Sequence, residues 1–171
     1  MPNDRSRPAT NALIDAFLGT SRVLVALAAQ SLAQRDPDVT LVQFRALVVL
    51  ASRGPQRTTD LATTLAIAPS TVTRMCDRLA RRGLVQRFRR AADRRATWVG
   101  LTDSGQDLVG EVMRYRRAAI ARLVRSIKIE DAETCSSMLN AFVEAAGELP
   151  ESSWWRHWRD AAATPPDAVS A

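Results

Sequence analysis

Apolar residues recur every three or four positions from Asn11 to Gln34. Leu13, Phe17, Leu24, Leu27 and Leu32 share one face, widened by Ile14, Leu18 and Ala28, which predicts an amphipathic helix. Asp36-Pro37-Asp38 stops it, because proline disfavours helix in the residue before it. Thr40 and Gln43 have capping-box spacing and open a second predicted helix, Leu41 to Ser52, apolar on most sides and therefore a core element. After a break at Gly54-Pro55, Thr59 to Ala66 reads as a short helix with Leu61, Ala62 and Leu65 inward. A turn at Ile67 and Ala68 brings Pro69 to a first helical position, where its missing N–H costs nothing. The next helix runs to Arg82, with Val72, Met75, Cys76 and Leu79 on one face and Ser70, Thr71, Arg74 and Arg78 on the other. Gly83 closes it as a left-handed cap.

The period then changes from helical to extended. Leu84 to Arg89 predicts a strand, Arg90 to Arg95 a charged turn, and Thr97 to Leu101 the returning strand of a hairpin. Thr102-Asp103 starts a long helix carrying Leu108, Val112, Tyr115, Ala119, Leu123 and Ile127. A last helix, Glu130 to Leu149, spaces Cys135, Met138, Leu139, Phe142, Val143 and Ala146 helically. A tail with Trp154, Trp155 and Trp158 follows, and its small-residue end is expected to be disordered. The fold class is thus mainly α with a small β-hairpin.

Charge sharpens this outline. The chain carries a net +6, and nine arginines face only Asp77 and Asp93 between Pro69 and Arg95. The remainder is close to neutral, so the excess positive charge sits in one stretch, as expected for a polyanion partner. Lys128 is the only lysine, but arginine is favoured along the whole chain, so that bias carries no functional weight. No run of 18 apolar residues occurs, and the start, Met1 to Thr10, is polar. Neither a membrane span nor a secretory leader is expected, which predicts a cytoplasmic protein. His157 is the only histidine; without a close cysteine pair or acid cluster, no metal, cofactor or catalytic site is expected. Cys76 and Cys135 both fall at inward positions and read first as small buried hydrophobes. Cys76 lies within the basic helix, which keeps redox sensing open.

A short helix, a tight turn and a second helix with polar residues outward is the helix-turn-helix layout. Its second helix fits the major groove, N-terminal half toward base edges. Ser70, Thr71, Thr73 and Arg74 are so placed, with Arg78 one turn further along. Arg74 can fork onto guanine, and Arg94 and Arg95 at the hairpin tip suit the negative potential of a narrow minor groove. The run Pro69-Ser70-Thr71-Val72-Thr73-Arg74-Met75, with Asp77-Arg78-Leu79 and Arg82-Gly83-Leu84-Val85, resembles the recognition helix and exit strand of the MarR family of transcriptional regulators. Asp93-Arg94-Arg95, Leu101-Thr102 and Gly105 are similar to that family's wing and to the opening of its next helix. The resemblance implies a winged helix-turn-helix fold in which Arg95 enters the minor groove and Asp93 braces a wing arginine. Ala68 departs from it, standing where a capping Ser or Thr is favoured.

The first and the last two amphipathic helices flank one small DNA-binding unit, which cannot bury all three apolar stripes. Pairing with a second copy is the natural solution, and the family also pairs these helices. Residues 11–37 and 103–149 are accordingly assigned to a helical dimerisation region, 38–102 to the winged helix-turn-helix, and 150–171 to the tail. A homodimer places two recognition helices in successive major grooves, which predicts a palindromic operator on double-stranded DNA. The function expected is a transcriptional regulator, a repressor before an activator. The resemblance further implies a small, often aromatic, ligand that releases DNA. Phe17, Phe44 and Tyr115 are candidate lining residues, though such residues are more often simple core. The Trp segment is expected to pack on the dimer helices, with contact to a partner as the other reading. Two alternatives stand beside the main one: a ligand- or redox-sensing regulator acting through an acidic protein, and a non-specific DNA-binding protein.

Overall fold

The computed structural model describes residues 6–90, 93–150, 153–154 and 156, with 6–7 and 93–95 described by backbone alone. The described elements are α1 (Ser6–Ala33), α2 (Leu41–Arg53), β1 (Gln56–Arg57), α3 (Thr58–Leu65), α4 (Pro69–Arg81), β2 (Val85–Arg90), β3 (Asp93–Leu101), α5 (Asp103–Ser126) and α6 (Ala132–Ala145). The architecture is mainly α-helical with a small antiparallel sheet, ordered β1-β3-β2.

Local chemistry sets most boundaries. Thr40 caps α2 in a reciprocal box: its hydroxyl accepts from the Gln43 N–H at 3.3 Å, and the Gln43 Oε1 accepts from the Thr40 N–H at 2.8 Å. α4 begins with Pro69 at its first position and has no side-chain cap from Ala68. It ends at Gly83, φ 70, where the Gly83 N–H donates to Ala80 O at 2.9 Å and the Leu84 N–H to Leu79 O at 3.0 Å. That crossed pair is the Schellman stop, and it requires a left-handed residue at Gly83. Thr102 caps α5, accepting from the Gly105 N–H at 3.1 Å.

The core sits where α2, α3, α4, β3 and the first half of α5 meet. Leu47, Leu61, Leu79, Val72, Val99, Val109 and Val112 are its largest fully buried side chains. Each contributes about 1.5–3 kcal/mol by leaving water. The flanking helices differ. α6 buries none of its residues within one chain, and α1 exposes Leu13, Ile14, Leu18, Val23, Leu24 and Val25. Phe17 of α1 stacks on Phe142 of α6 with ring centroids 4.3 Å apart, which ties the two chain ends together.

Several sequence expectations need correction. α1 starts at Ser6 rather than Asn11, and α6 is shorter than the 130–149 expected. The Asp131 carboxylate caps α6 by accepting from the Thr134 N–H at 2.9 Å. At the other end Gly147, φ 73, makes a second Schellman stop, with Glu148 N–H donating to Val143 O at 3.1 Å. The hairpin reaches further than its apolar alternation: Arg90 pairs with Asp93, so the expected charged turn 90–95 is mostly strand. Past Phe88↔Trp98 the backbone ladder continues, through a register shift between Phe88 and Arg90, whatever side chains it carries. The two-residue strand β1, too short to show a period, was not expected; Gln56 and Arg57 pair with Val99 and Trp98.

Apolar run length also proved too coarse a test of α1. By length and composition Pro8–Ala33 is apolar enough to cross a membrane, with mean hydropathy 1.7. Asp15 and Arg22 interrupt it, and its C-terminal end enters the core through Leu32 and Ser31, 3% and 0% exposed. Ser31 is satisfied there, its hydroxyl donating to Leu27 O at 2.6 Å. Trp154 packs into the main core, whose buried residues include Leu32 of α1 and Val109 and Val112 of α5. Trp155, His157 and Trp158 lie outside the described residues.

Candidate nucleic-acid interface

α4 is the most strongly two-faced helix of the chain. Val72, Met75, Cys76 and Leu79 are buried, while Ser70, Thr73, Arg74 and Arg78 are exposed and Thr71 is half-buried. Burial of one face against α3 and β2 fixes the helix, and its N-terminal turns present the polar residues outward. The Thr73 hydroxyl donates to Pro69 O at 3.0 Å, leaving its oxygen lone pairs available as acceptors. No ion pair joins Arg74 or Arg78 to another described residue.

Other arginines of the basic stretch hold the fold together. Arg82 donates to both carboxylate oxygens of Asp36, at 2.6 and 2.8 Å, and so clips the end of α4 to the α1–α2 connection. Arg87 of β2 pairs with Asp77 of α4, fastening the hairpin to the helix. Sequence reasoning missed this division of labour. Asp36 lies 46 residues from Arg82, and nothing local announces such a pair.

The hairpin leaves α4 through β2, and its inner face buries Val85 and Val99. Only the backbone of Asp93, Arg94 and Arg95 is described; it is the first part of β3, separated from Arg90 by two residues. Their side chains, and any bracing by Asp93, lie outside the description. The opening of α5 depends on close approach. A β-carbon on Gly105 would overlap the Leu84 carbonyl oxygen and lie 3.0 Å from its carbon and 3.1 Å from Leu101 Cδ2. Glycine at this position therefore lets the first turn of α5 sit on the end of α4.

α3, the turn at Ala66 to Ala68 and α4 form a helix-turn-helix, and the three-stranded sheet is its wing. The family model described as MarR family matches residues 39–97. The chain is 31% identical over 108 residues to the HTH-type transcriptional repressor MdtR of Bacillus subtilis (strain 168), spanning 63% of this chain and 70% of that protein. The chain belongs to the MarR family. Members of the MarR family are DNA-binding transcription regulators, not enzymes. The crystal structure of RV1404 from Mycobacterium tuberculosis superimposes with a TM-score of 0.77 and 39% identity, over 83% of this chain and 97% of that one. A MepR mutant of S. aureus bound to an oligodeoxyribonucleotide gives a TM-score of 0.57 and 25% identity, over 78% and 97%.

The remaining candidates fall apart in space. Phe44 is a core residue, 4% exposed; Phe17 is half-buried in its stack with Phe142; Tyr115 is half-buried on α5. A cavity of about 390 Å³ is lined by Met113, Arg116, Arg117, Ile120, Ala121 and Val124 of α5, and none of the three aromatics lines it. Cys76 is 1% exposed, and burial pushes its thiol up to about 11 against the opposing pull of Arg87. A thiol so protonated is a poor nucleophile and a poor redox sensor. Cys135 is half-exposed on α6.

Proposed function

We propose that this MarR family chain is a dimeric, sequence-specific transcriptional repressor that grips a palindromic operator. The observation that carries the reading is the outward face of α4: Ser70, Thr73, Arg74 and Arg78 exposed above a buried apolar face. Ser70, Thr71, Thr73 and Arg74 would read base edges in the major groove, and Arg78 would hold the backbone. Arg94 and Arg95 would enter the minor groove from the wing, with Asp93 bracing them. The oligonucleotide-bound MepR mutant supports the DNA partner.

Dimerisation is supported by what one chain leaves uncovered. Leu13, Ile14, Leu18 and Leu24 of α1 are exposed, as are Leu123 and Val124 of α5 and Met138, Leu139 and Phe142 of α6. Together these side chains, on three helices of which the Phe17–Phe142 stack joins two, make up an exposed apolar surface of the kind that marks an interaction site. A second copy of the same helices would cover it. Release by a small ligand completes the reading, and the α5 cavity, apolar with Arg116 and Arg117 at its wall, would suit an anionic one.

The test is a binding titration with a duplex selected from the source genome and with its scrambled counterpart. Arg74→Ala should cost about 1–3 kcal/mol on the selected duplex and relax discrimination at one base position per half-site. Equal affinity for both duplexes would favour the non-specific alternative. A monomer by sedimentation at the working concentration would remove the palindrome.

A further inference from the structure

The wing carries a second cationic element on its outer face. Trp98 in the central strand β3 stands directly opposite Arg57 of β1 and Phe88 of β2, and directly opposite residues point to the same face of a sheet. Val85 and Val99 turn to the other face and are buried, so this row looks outward. The Arg90 guanidinium carbon lies 3.8 Å from the Trp98 ring centroid and that of Arg57 lies 5.4 Å away, both within cation–π range. A register shift between Phe88 and Arg90 re-aims Arg90 along the sheet. Arg90 also forms the last recorded pair before the hairpin tip, with Asp93.

We propose that Trp98 is a platform that holds Arg90 as a phosphate-binding cation at the shoulder of the wing, with Arg57 against the same ring. The proposal rests on the DNA-binding reading above and adds residues which that reading did not include. Stacking uses the flat face of a guanidinium, while its N–H donors project outward in the plane. The stacked guanidinium of Arg90 is therefore already ordered, with a donor fork that can meet an oxyanion. A hairpin tip inserted in a minor groove places its shoulder against the rim, and phosphates line that rim. Trp98 acts through the arginines and is a positioning residue. The contact carries no base information, so it should serve any sequence.

Salt dependence distinguishes this role from simple packing, because the slope of log affinity against log salt counts phosphates at about 0.9 each. The slope is measured by anisotropy with the selected duplex and its scrambled counterpart, and folding is checked by thermal melting. R90Q should lower the slope by about 2 in a dimer, one contact per wing, and weaken binding to both duplexes by the same factor. W98L should lower it at least as much, and W98F, which keeps an aromatic face, should hold the wild-type slope. Adding W98L to the R57Q/R90Q protein should change nothing further. The proposal fails if R90Q leaves the slope unchanged, or if W98L weakens binding equally with and without the two arginines. Should W98L not fold, R90Q and W98F decide it. A wild-type protein that binds neither duplex sinks the DNA reading beneath it.

Discussion

Replacing Gly105 by alanine should destabilise the protein, against the ordinary expectation for a glycine in a helix. Alanine in a helix interior is worth about 1 kcal/mol over glycine. At Gly105, however, the new methyl would overlap the Leu84 carbonyl oxygen, and backbone cannot swing aside as the end of a long side chain can. Three things give way together. Overpacking costs about 1–3 kcal/mol. The Thr102 N–H loses its bond to Leu84 O, now 3.3 Å, which is worth about 1 kcal/mol. The Thr102 cap on the Gly105 N–H, now 3.1 Å, is strained by a similar amount, about 1 kcal/mol. Set against the helix gain, the net loss is about 2–4 kcal/mol. Leu84 also closes the Schellman stop of α4, so the shift should reach the recognition helix and weaken DNA binding. Urea unfolding at one fixed protein concentration measures the loss, with Thr102→Ala as the single-cap control at about 1 kcal/mol. A G105A protein as stable as the parent, or more so, would refute the close-approach argument.

Other outcomes follow from single positions. Ala66 between α3 and α4 is left-handed, φ 53, and is the only non-glycine among the described residues with positive φ. Ala66→Gly should remove about 1–2 kcal/mol of strain at a cost of roughly 0.5–1 kcal/mol in unfolded-state entropy, and so raise the Tm by a few degrees. Cys76, with its thiol near 11, should hold about 100-fold less thiolate at pH 8 than an ordinary cysteine, and Cys135 should alkylate first with iodoacetamide. Because burial raises that pKa, the stability Cys76 contributes is present below the ordinary thiol range and lost as pH rises toward 11, which alkaline melting of Cys76→Ala against wild type would reveal. Asp131 has the opposite sign. The Thr134 hydroxyl and then its N–H hold the carboxyl below its usual range, so the α6 cap is present at higher pH and lost as pH falls through the depressed value. The Thr134 amide should lose protection from hydrogen exchange in acid, and a pH-independent amide would contradict the cap.

Elements with a strong period or an explicit stop signal were legible in the chain. Thr40 with Gln43, Pro69, Gly83 and Thr102 each act through backbone groups within about a turn of helix, so their effect can be read locally. The polar face of α4 was legible for the same reason, since Val72, Met75, Cys76 and Leu79 alone determine which side faces out. Long-range facts were not. The length of β3 depends on register with β2, the two residues of β1 exist only through β3, and Arg82 was counted as surplus charge until Asp36 met it. Gly147 was a readable stop that the apolar spacing through Leu149 obscured.

The same long-range contacts explain how the two regions of the chain are joined. Arg82 and Asp36 fasten the end of α4 to the segment leaving α1, and Arg35 approaches Glu111 of α5 at 3.7 Å. On the other side, past the Gly147 stop, Glu148 pairs with Arg45 of α2, and Gly147 O lies 3.5 Å from Arg53. Trp154 then inserts into the core, 6% exposed. The DNA-binding unit is thus fastened on one flank by the α1 connection and on the other by the segment after α6. Both leads begin in helices whose apolar faces one chain leaves open. Under the proposed dimer, the separation of the two recognition helices would be set through these two fastenings rather than by one flexible hinge. A ligand that releases DNA would then have to favour a different separation by more than the fastenings resist. Arg82–Asp36, in which one guanidinium nitrogen donates to both carboxylate oxygens, is the most sheltered of these three ion pairs and is where that resistance should be greatest.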